Sequence, residues 1–570
     1  MPTTSSALLE AFSEQGMSYL FANFGSDHPA VIEAIAEARA TGRKIPSVIT
    51  CPNEMVGMSA AHGYWQASGQ PQATLVHVEC GTQALAGAVH NAAKGRAPIM
   101  IFAGASPVTQ EGELKGSRNE FIHWIQDVHD QRGIVRGYVK YDAELKSAKN
   151  VKSMVHRAMQ FALSEPQGPV YLMGAREIME ETTDPLPDTT ASWKAMASSA
   201  LADDAIKEIG LNLLEARRPL LITSYVGRKP LAVTALVEFC RAAGIGVLDS
   251  VPTWLNYPHD DELYLGSQWN EVRQSPLLAE ADVIVVVDCD VPWIPSVSRP
   301  RPDAKIFHID TDPLKEQMPL WHIGATASFR ADAEVALRQL THWLRSARID
   351  SEVVRKRIAH YTEIHRMRRE ALAAAEAMPK SSITVEYLVS CLRKHAPTQT
   401  VFLNETITNY KIVTDHLMPT VPGSLLFSGG GSLGWSGGAA VGVKLARPEA
   451  TVVAICGDGS YMFSVPSSVH WMARRYQTPF LQVVLNNRGW KSPKRAALAL
   501  HPDGYASRAN QLDTGFDPVP DYAGIAAAAG GAWAKKVKDP AEVDEAVVEA
   551  YRVVRDEGRC AVLDVWLDHL

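Results

Sequence analysis

The sequence predicts an α/β protein made of three consecutive domains, each with a parallel β-sheet covered by helices. Its 570 residues are too many for a single hydrophobic core. Short apolar runs rich in β-branched residues alternate with helical stretches in three successive blocks, and this rhythm indicates parallel sheets. A polar stretch at residues 181–199 indicates a linker after the first block. We therefore expect domains at residues 1–185, 200–345 and 380–570.

Individual strands can be assigned from the apolar runs. In the first block, strands are expected at residues 18–24, 47–50, 74–78, 98–103 and 169–173. In the second block, they are expected at residues 219–224, 246–249, 283–288 and 305–310. In the third block, they are expected at residues 400–403, 425–427, 451–456, 480–485 and 561–567.

Composition excludes several classes of function. The net charge of −7 gives no basis for binding nucleic acid or an anionic membrane surface. The seven cysteines are odd in number and lack CxxC spacing, so we expect reduced core residues and neither disulfides nor a zinc site. The N-terminus lacks the features of a signal peptide, and no apolar run reaches the roughly 18 residues of a membrane span. We expect a cytoplasmic protein without nucleic-acid or membrane partners.

Two polar motifs follow strands of the third block. Gly457-Asp458-Gly459-Ser460 ends the run at 451–456, and Asn486-Asn487 ends the run at 480–485. A carboxylate and an amide oxygen at neighbouring strand ends, completed by phosphate and water, are typical ligands of Mg²⁺. Ser460 and the N–H groups that follow it can meet a phosphate at a helix start. The alternative is a pair of ordinary turns, but this combination at this spacing favours a diphosphate–metal site.

The arrangement resembles the thiamine-diphosphate signature of the superfamily that contains acetolactate synthase, benzoylformate decarboxylase and pyruvate decarboxylase. The resemblance implies that the three domains are the pyrimidine-binding, central and diphosphate-binding domains. It implies that Asp458, Asn487 and the main-chain carbonyl of Gly489 bind Mg²⁺. It also places Gly457, Asp458, Gly459, Ser460 and Asn487 at the cofactor.

Glu54 opens a predicted helix behind Asn53, a good N-cap. One interpretation is that Glu54 only stabilises the helix N-terminus. The resemblance implies that it contacts the aminopyrimidine N1′ of the cofactor, since a small-residue helix follows it. That role requires a carboxyl pKa raised by a dry site.

A glycine-rich loop at residues 429–438 follows the strand at 425–427. As a loop alone it is weak evidence for a ligand. The resemblance places Leu433 as the apolar wedge that bends the cofactor, with Ser432 beside it. Thr408 is a further expected cofactor contact.

The substrate side of the expected site is less well defined. His77 lies at a strand end, where a structural role competes with the proton-transfer role that benzoylformate decarboxylase-like enzymes imply. Gln126 approximately matches a glutamine that the resembled enzymes place near the cofactor. His28 is a further candidate, although the sequence departs there from the Pro-Gly turn of the family, and Asp27-His28 could equally cap the next helix.

Four basic residues follow the predicted metal site: Arg488, Lys491, Lys494 and Arg495. They could meet an anionic substrate tail or form a solvated helix face. The loop that contains them could also close over the site as a lid.

The expected activity is thiamine-diphosphate-dependent cleavage or formation of a C–C bond on a 2-oxo acid, by an acetolactate synthase-like decarboxylase or carboligase. One alternative is a 2-hydroxyacyl-CoA lyase, and another is a non-catalytic cofactor-binding scaffold. The resemblance implies a homodimer or homotetramer with the site between subunits. The motifs do not distinguish among substrates, and residues 219–312 do not distinguish an FAD site from an adenine-nucleotide site.

Overall fold

The computed structural model of the chain describes residues 1–510 and 512–569. Within them the strands form three six-stranded sheets, and every pairing between strands within the three sheets is parallel. Helices cover the sheets. The predicted fold class is therefore confirmed, and the domain limits stay a prediction.

The first sheet has the order β2-β1-β3-β4-β6-β5. Its strands are β1 (Tyr19–Ala22), β2 (Ser47–Thr50), β3 (Ala73–Val76), β4 (Met100–Ala105), β5 (Asp142–Leu145) and β6 (Val170–Ala175). Its helices are α1 (Thr4–Glu14), α2 (Pro29–Thr41), α3 (Glu54–Ser68), α4 (Val78–Ala84), α5 (Ala86–Lys94), α6 (Ile122–Ile125), α7 (Val151–Leu163) and α8 (Arg176–Glu180).

The second sheet has the order β12-β11-β10-β7-β8-β9. Its strands are β7 (Pro219–Thr223), β8 (Gly246–Ser250), β9 (Tyr264–Gln268), β10 (Val283–Val287), β11 (Lys305–Asp310) and β12 (Ala327–Arg330). Its helices are α9 (Asp203–Glu215), α10 (Pro230–Ala243), α11 (Pro276–Glu280), α12 (Ala333–Ala347) and the long α13 (Ser351–Ala375).

The third sheet has the order β14-β13-β15-β16-β18-β17. Its strands are β13 (Thr400–Glu405), β14 (Leu425–Leu426), β15 (Thr451–Gly457), β16 (Leu481–Asn486), β17 (Trp533–Val537) and β18 (Ala561–Trp566). Its helices are α14 (Val385–His395), α15 (Tyr410–Leu417), α16 (Trp435–Ala446), α17 (Asp458–Phe463), α18 (Pro466–Arg475), α19 (Lys491–Leu500), α20 (Tyr505–Ala509), α21 (Tyr522–Gly530) and α22 (Val543–Asp556).

The first and third domains are joined by close packing of α3 against α16. A Cβ added to Gly442 would lie 1.9 Å from the backbone oxygen of Ala60, and one added to Gly63 would lie 2.3 Å from that of Ala439. No side chain fits at either point, so glycine is required for this approach. Both helices follow loops with predicted site residues, and their packing holds those loops in a defined relation.

The first and second domains are joined by a buried charge network at the carboxyl ends of β10 and β11. Arg96 Nη2 lies 3.2 Å from Asp290 Oδ1 and 3.3 Å from Asp310 Oδ1. Lys315 Nζ contacts the same two carboxylates, and Arg96 stacks on the Tyr225 ring. Because ligands of such sheets bind outside the carboxyl ends of strands, this network occupies part of the edge where a nucleotide would lie.

All seven cysteines are free thiols, and six of them are buried as expected. Cys80 is the exception, because it is exposed and donates to Glu79 Oε1 at 2.9 Å. No helix in residues 1–510 or 512–569 is both long enough and apolar enough to cross a membrane.

Candidate functional site

The predicted site residues lie at the carboxyl edges of the first and third sheets. Glu54 follows β2 and His77 follows β3 in the first sheet. Asp458 follows β15 and Asn487 follows β16, its neighbour in the third sheet. Parallel strands bring all their carboxyl ends to one edge, and this explains why residues far apart in sequence meet there.

Asp458, Asn487 and Gly489 converge on one point. The Asn487 side-chain oxygen lies 3.2 Å from each carboxylate oxygen of Asp458 and 3.0 Å from the carbonyl oxygen of Gly489. Rotating the amide would instead place its NH₂ group there as a hydrogen-bond donor. Oxygens at this spacing repel one another unless a donor or a cation lies between them.

This donor set fits Mg²⁺. Octahedral Mg²⁺ has ligand oxygens at about 2.1 Å, so adjacent ligands lie about 3 Å apart. The separations of 3.0 and 3.2 Å match that spacing. Burial raises the pKa of Asp458 to about 6, and a bound cation would favour the ionised carboxylate.

The backbone after Asn487 is held in an unusual conformation. Arg488 has φ +63° and Gly489 has φ +151°. The Gly489 N–H donates to Asp458 Oδ2 at 3.0 Å, and Trp490 N–H donates to Thr514 O at 2.8 Å. These bonds fix the turn that brings the Gly489 carbonyl towards Asp458, and strain of this kind is common at ligand sites.

Glu405 organises the glycine-rich loop, and the motifs did not reveal it. It ends β13, and its buried carboxylate accepts from the N–H groups of Gly434, Trp435 and Ser436 at 2.6, 3.0 and 2.8 Å. These are the free donors at the start of α16. Burial raises the Glu405 pKa, and the three N–H groups oppose this shift. The cap fixes the backbone just after Leu433.

The other predicted cofactor residues lie around the same loop. Thr408 is in a 3₁₀ turn, Ile407–Asn409, whose first residue has φ +40°. Ser432 is tied to the first domain, because its N–H donates to Asn91 Oδ1 at 3.0 Å and its carbonyl accepts from Asn91 Nδ2 at 2.8 Å. Ser460 is buried in α17, next to Asp458. Their roles at a cofactor stay predictions.

Glu54 starts α3 as predicted, with Asn53 Oδ1 accepting from the Val56 N–H at 3.2 Å. Its carboxyl group is half-buried beside Gly81, where an added Cβ would lie 3.2 Å from Glu54 Oε1. Burial raises the Glu54 pKa, although its own backbone N–H and the charge of His77 lower it in part. A carboxyl group with a raised pKa holds a proton more readily than an exposed glutamate does.

His77 is paired with Asp27. Their side chains meet at 2.5 Å through His77 Nδ1 and Asp27 Oδ1, and Asp27 Oδ2 accepts from the Val78 N–H at 3.1 Å. The hydrogen bond to Asp27 raises the His77 pKa, burial opposes this, and the Asp27 charge raises it further. A Cβ on Gly25 would lie 1.9 Å from His77 Nδ1, so this glycine makes room for the pair. Since Asp27 engages Nδ1, Nε2 is the ring nitrogen left for a reactant, and that role stays a prediction.

The structure corrects the helix-capping alternative for Asp27-His28. Neither residue caps α2 with its side chain, since Asp27 binds His77 and His28 Nδ1 accepts from the Gly25 N–H at 3.0 Å. His28 is buried, and this burial lowers its pKa. It lies behind the Asp27–His77 pair, and a direct role stays a prediction.

Gln126 lies beside His77 and contributes to the raised His77 pKa. It is 2% exposed, and apart from this interaction with His77 its side-chain oxygen and nitrogen have no hydrogen-bond partner. A buried amide without partners indicates a group that a ligand satisfies. Gln131, in contrast, donates to Gly104 O and Tyr171 Oη and is part of the core.

Within the described residues of one chain the glycine-rich loop contacts the first domain through Asn91, but Glu54 and His77 make no direct bond to the oxygen cluster. In residues 1–510 and 512–569, no hydrogen bond, ion pair or ring contact links Glu54 or His77 to Asp458, Asn487 or Gly489. The first half consists of Glu54, His77 and their neighbours, and the second half consists of the oxygen cluster and the glycine-rich loop.

The basic residues after the predicted metal site fall into two groups. Lys491, Lys494 and Arg495 lie on α19, which has no buried residue. Arg488 turns away from them, stacks on Trp566 and donates to Leu567 O. Burial and then the charge of Arg495 lower the Lys491 pKa, to which the charge of Lys494 also contributes, so these cations lie near one another and both alternatives stay predictions.

A second group of metal-capable side chains lies in the first domain. Glu14, His156 and Asp188 have ligand atoms within 4.8 Å of one another. Lys152 Nζ already lies 2.7 Å from Glu14 Oε1 and supplies the positive charge. This group is therefore explained as an ion-pair cluster.

Two family models match the chain. The model described as the N-terminal TPP binding domain of thiamine pyrophosphate enzymes matches residues 2–134. The model described as the C-terminal TPP binding domain of the same enzymes matches residues 406–565. Together they cover just over half of the chain, and each includes one half of the site.

Relatives and solved structures match along most of the chain. Benzoylformate decarboxylase of Pseudomonas aeruginosa is 24% identical over 85% of this chain and 86% of its own length. The acetolactate synthase large subunit of Haemophilus influenzae is 24% identical over 98% and 94%. The structure of a Rhodococcus jostii thiamine diphosphate-dependent 4-hydroxybenzoylformate decarboxylase covers 100% of both chains with a TM-score of 0.78 and 18% identity. At this identity the solved structure shows a shared fold.

Asp27→Asn should lower the pKa of His77. The substitution removes the ionised partner that raises this pKa, whereas burial, which lowers it, remains. NMR titration of histidine-labelled protein measures the change. Asp127→Asn is the control, because Asp127 pairs with Arg118 and should leave His77 unaffected. An unchanged His77 pKa in Asp27→Asn would show that the pair does not set its protonation.

Proposed function

The chain belongs to the thiamine pyrophosphate enzyme family, and we propose that it uses thiamine diphosphate and Mg²⁺ to cleave the bond between the carbonyl and carboxylate carbons of a 2-oxo acid. The observation that carries this proposal is the convergence of Asp458, Asn487 and Gly489 oxygens at 3.0 and 3.2 Å. When bound, the cofactor supplies the carbon nucleophile and the electron sink. The protein supplies binding, orientation and proton transfer.

Each half of the site has a distinct task. Asp458, Asn487 and the Gly489 carbonyl would hold the metal and, through it, the diphosphate group. Leu433, fixed by the Glu405 cap, would define the shape of the cofactor pocket. Glu54, with its raised pKa, would share a proton with the cofactor's pyrimidine ring. His77 Nε2 would give a proton to the product, with Gln126 orienting the substrate.

The Asp27–His77 pair favours decarboxylation to an aldehyde over carboligation. A raised His77 pKa keeps more of the imidazole protonated near neutral pH, so a proton is available once the carboxylate has left. A carboligase must instead keep protons away until the second carbonyl arrives. Decarboxylation is therefore the proposed main reaction, and acyloin formation is the second candidate.

Product analysis tests this proposal. Protein reconstituted with thiamine diphosphate and Mg²⁺ is incubated with a panel of 2-oxo acids and with a 2-hydroxyacyl-CoA. Aldehyde and CO₂ from a 2-oxo acid are expected. Acyloin as the main product would identify a carboligase, and cleavage of the thioester alone would identify a 2-hydroxyacyl-CoA lyase. Tight cofactor binding with no turnover would favour a scaffold.

We also propose that the active form is a homodimer or a dimer of dimers. In the described residues no hydrogen bond, ion pair or ring contact joins Glu54 or His77 to the oxygen cluster, and both places lie beside exposed apolar residues. Phe121 is 77% exposed near the first half, and Phe463 is 49% exposed near the second. A second copy of the chain would cover both surfaces and bring the halves together.

Asp458→Ala should abolish stabilisation by the cofactor. Thiamine diphosphate with Mg²⁺ should raise the melting temperature of the parent protein by several degrees, since ligand at 100 times its Kd adds about 2.7 kcal/mol. Differential scanning fluorimetry with Mg²⁺ or with a chelator measures the shift. Asp556→Asn, an exposed change at the end of α22, is the control and should keep the full shift. If the cofactor raises the melting temperature of Asp458→Ala as much as that of the parent protein, Asp458 does not contribute to cofactor binding.

Glu54→Gln and Asp458→Ala should each abolish activity alone and restore part of it when co-expressed. If each site takes Glu54 from one subunit and Asp458 from the other, a mixed dimer holds one unaltered site. The mixed dimer, isolated through both tags, should then have about half of the parent activity per dimer. Steady-state assays of the co-purified, differently tagged chains measure this recovery. Co-expression of two tagged copies of Glu54→Gln is the control. No recovery in the mixed dimer would place the whole site within one chain.

A further inference from the structure

Arg176 is a buried cation for which the described protein groups supply no counter-ion. It starts α8, directly after β6, and is 8% exposed. Its Nη1 lies 2.9 Å from Asn119 Oδ1 and 3.2 Å from His123 Nε2. Both partners are neutral, because burial and then the charge of Arg176 itself lower the His123 pKa.

The nearby carboxylates bind other groups, although Glu177 Oε2 is buried without a hydrogen-bond partner. Glu177 Oε1 accepts from the N–H and hydroxyl of Thr109 at 2.9 and 2.6 Å. Asp27 is bound to His77 and to the Val78 N–H. In residues 1–510 and 512–569, Arg176 forms no ion pair. Of the two other buried arginines in the described residues, Arg96 contacts Asp290 and Asp310, whereas Arg357 forms no ion pair and donates to backbone carbonyl oxygens. A buried unpaired charge is costly, and a bound anion would compensate it.

The guanidinium group has donors left for such an anion. All hydrogen bonds between the Arg176 side chain and described residues are made by Nη1. Its Nε is buried without a partner. Nε and Nη2 form the edge of the guanidinium that matches the two oxygens of a carboxylate.

The position of Arg176 links it to the candidate site. His123 Nε2 also lies 3.3 Å from Ser26 Oγ, and Ser26 precedes Asp27, the partner of His77. Arg176 is thus two hydrogen bonds from the loop that positions His77. The segment around α6 turns polar His123 and Gln126 inward, at 0% and 2% exposure, while apolar Ile125 is 70% exposed. The inward polar face therefore lies towards the Asp27–His77 pair.

The charge balance of the reaction indicates which anion Arg176 would bind. The carboxylate that leaves as CO₂ loses its charge, so a strong cation against it would stabilise the substrate more than the transition state. A carboxylate elsewhere on the substrate keeps its charge throughout. A cation that binds this second group improves binding without opposing the reaction.

We propose that Arg176, positioned by Asn119 and His123, binds a second carboxylate of the substrate, so that the substrate is a dicarboxylic 2-oxo acid. This inference rests on the proposed function. Arg176 acts in substrate selection and takes no part in bond cleavage.

The test compares 2-oxo acids of matched length with and without a terminal carboxylate. Oxaloacetate, 2-oxoglutarate and 2-oxoadipate are paired with 2-oxobutanoate, 2-oxopentanoate and 2-oxohexanoate. The parent holoenzyme should prefer one of the dicarboxylic acids in kcat/KM. Arg176→Met should raise KM for that acid roughly 10- to 100-fold with kcat changed less than about threefold, since a charged hydrogen bond is lost in ground and transition states alike. The neutral-tailed partner should be nearly unaffected, and Arg176→Lys should restore part of the binding.

Arg136→Met is the matched control, because Arg136 is paired with Asp130 on the surface and should leave the preference unchanged. An equal loss on both substrate sets in Arg176→Met would show a structural role and overturn the inference. A parent enzyme that prefers the neutral-tailed acids would also overturn the inference.

A binding measurement separates this inference from the proposed function. Isothermal titration of the protein with glutarate, which lacks the reactive carbonyl, should detect binding that Arg176→Met abolishes and Arg136→Met retains. Butanoate, which has one carboxylate, should bind weakly to the parent protein and to both variants. Glutarate binding without turnover of any 2-oxo acid would contradict the proposed reaction and leave the anion site intact. Turnover without Arg176-dependent glutarate binding would overturn the anion site alone.

Discussion

The close packing of α3 against α16 is the constraint on which the candidate site depends. Glu54 begins α3, and the glycine-rich loop with Leu433 leads into α16. Because Gly63 and Gly442 let the two backbones touch, neither helix can rotate without a clash. The loops that lead into these helices are therefore also held in place. The buried Glu405 then caps α16 with three hydrogen bonds and fixes the loop itself. Two loops of different domains are thus held by one helix contact.

Burial sets the chemistry of the groups that these loops present. Desolvation raises the pKa of Glu54, Asp458 and Glu405, but different neighbouring groups oppose this rise at each carboxyl group. Glu405 receives three backbone N–H groups and is purely structural. Asp458 faces the oxygens of Asn487 and Gly489, an arrangement that a cation would stabilise. Glu54 is only half-buried and has the least compensation, as suits a group that exchanges a proton.

The sequence predicted the central strands well and the edge strands poorly. All fourteen expected strands occur in the structure. The four that were missed, β5, β9, β12 and β17, each lie at the edge of a sheet. In β5, β12 and β17 at least half of the residues are only partly buried, so their sequences lack the continuous apolar runs of central strands. β9 is buried but contains Gly266 and Ser267, which interrupt the run of apolar residues that would predict a strand.

By itself, the sequence determined the fold class, the family and the positions of Glu54, Asp458 and Asn487, because these depend on local motifs at strand ends. Only the tertiary structure decided the partners of those residues. Asp27 meets His77 across 50 residues, Arg176 meets His123 across 53, and Asn91 meets Ser432 across 341. No local pattern encodes such pairs, since they arise when parallel strands bring their carboxyl ends to one edge. The substrate side consists of such long-range contacts, whereas the metal side consists of two short motifs on adjacent strands.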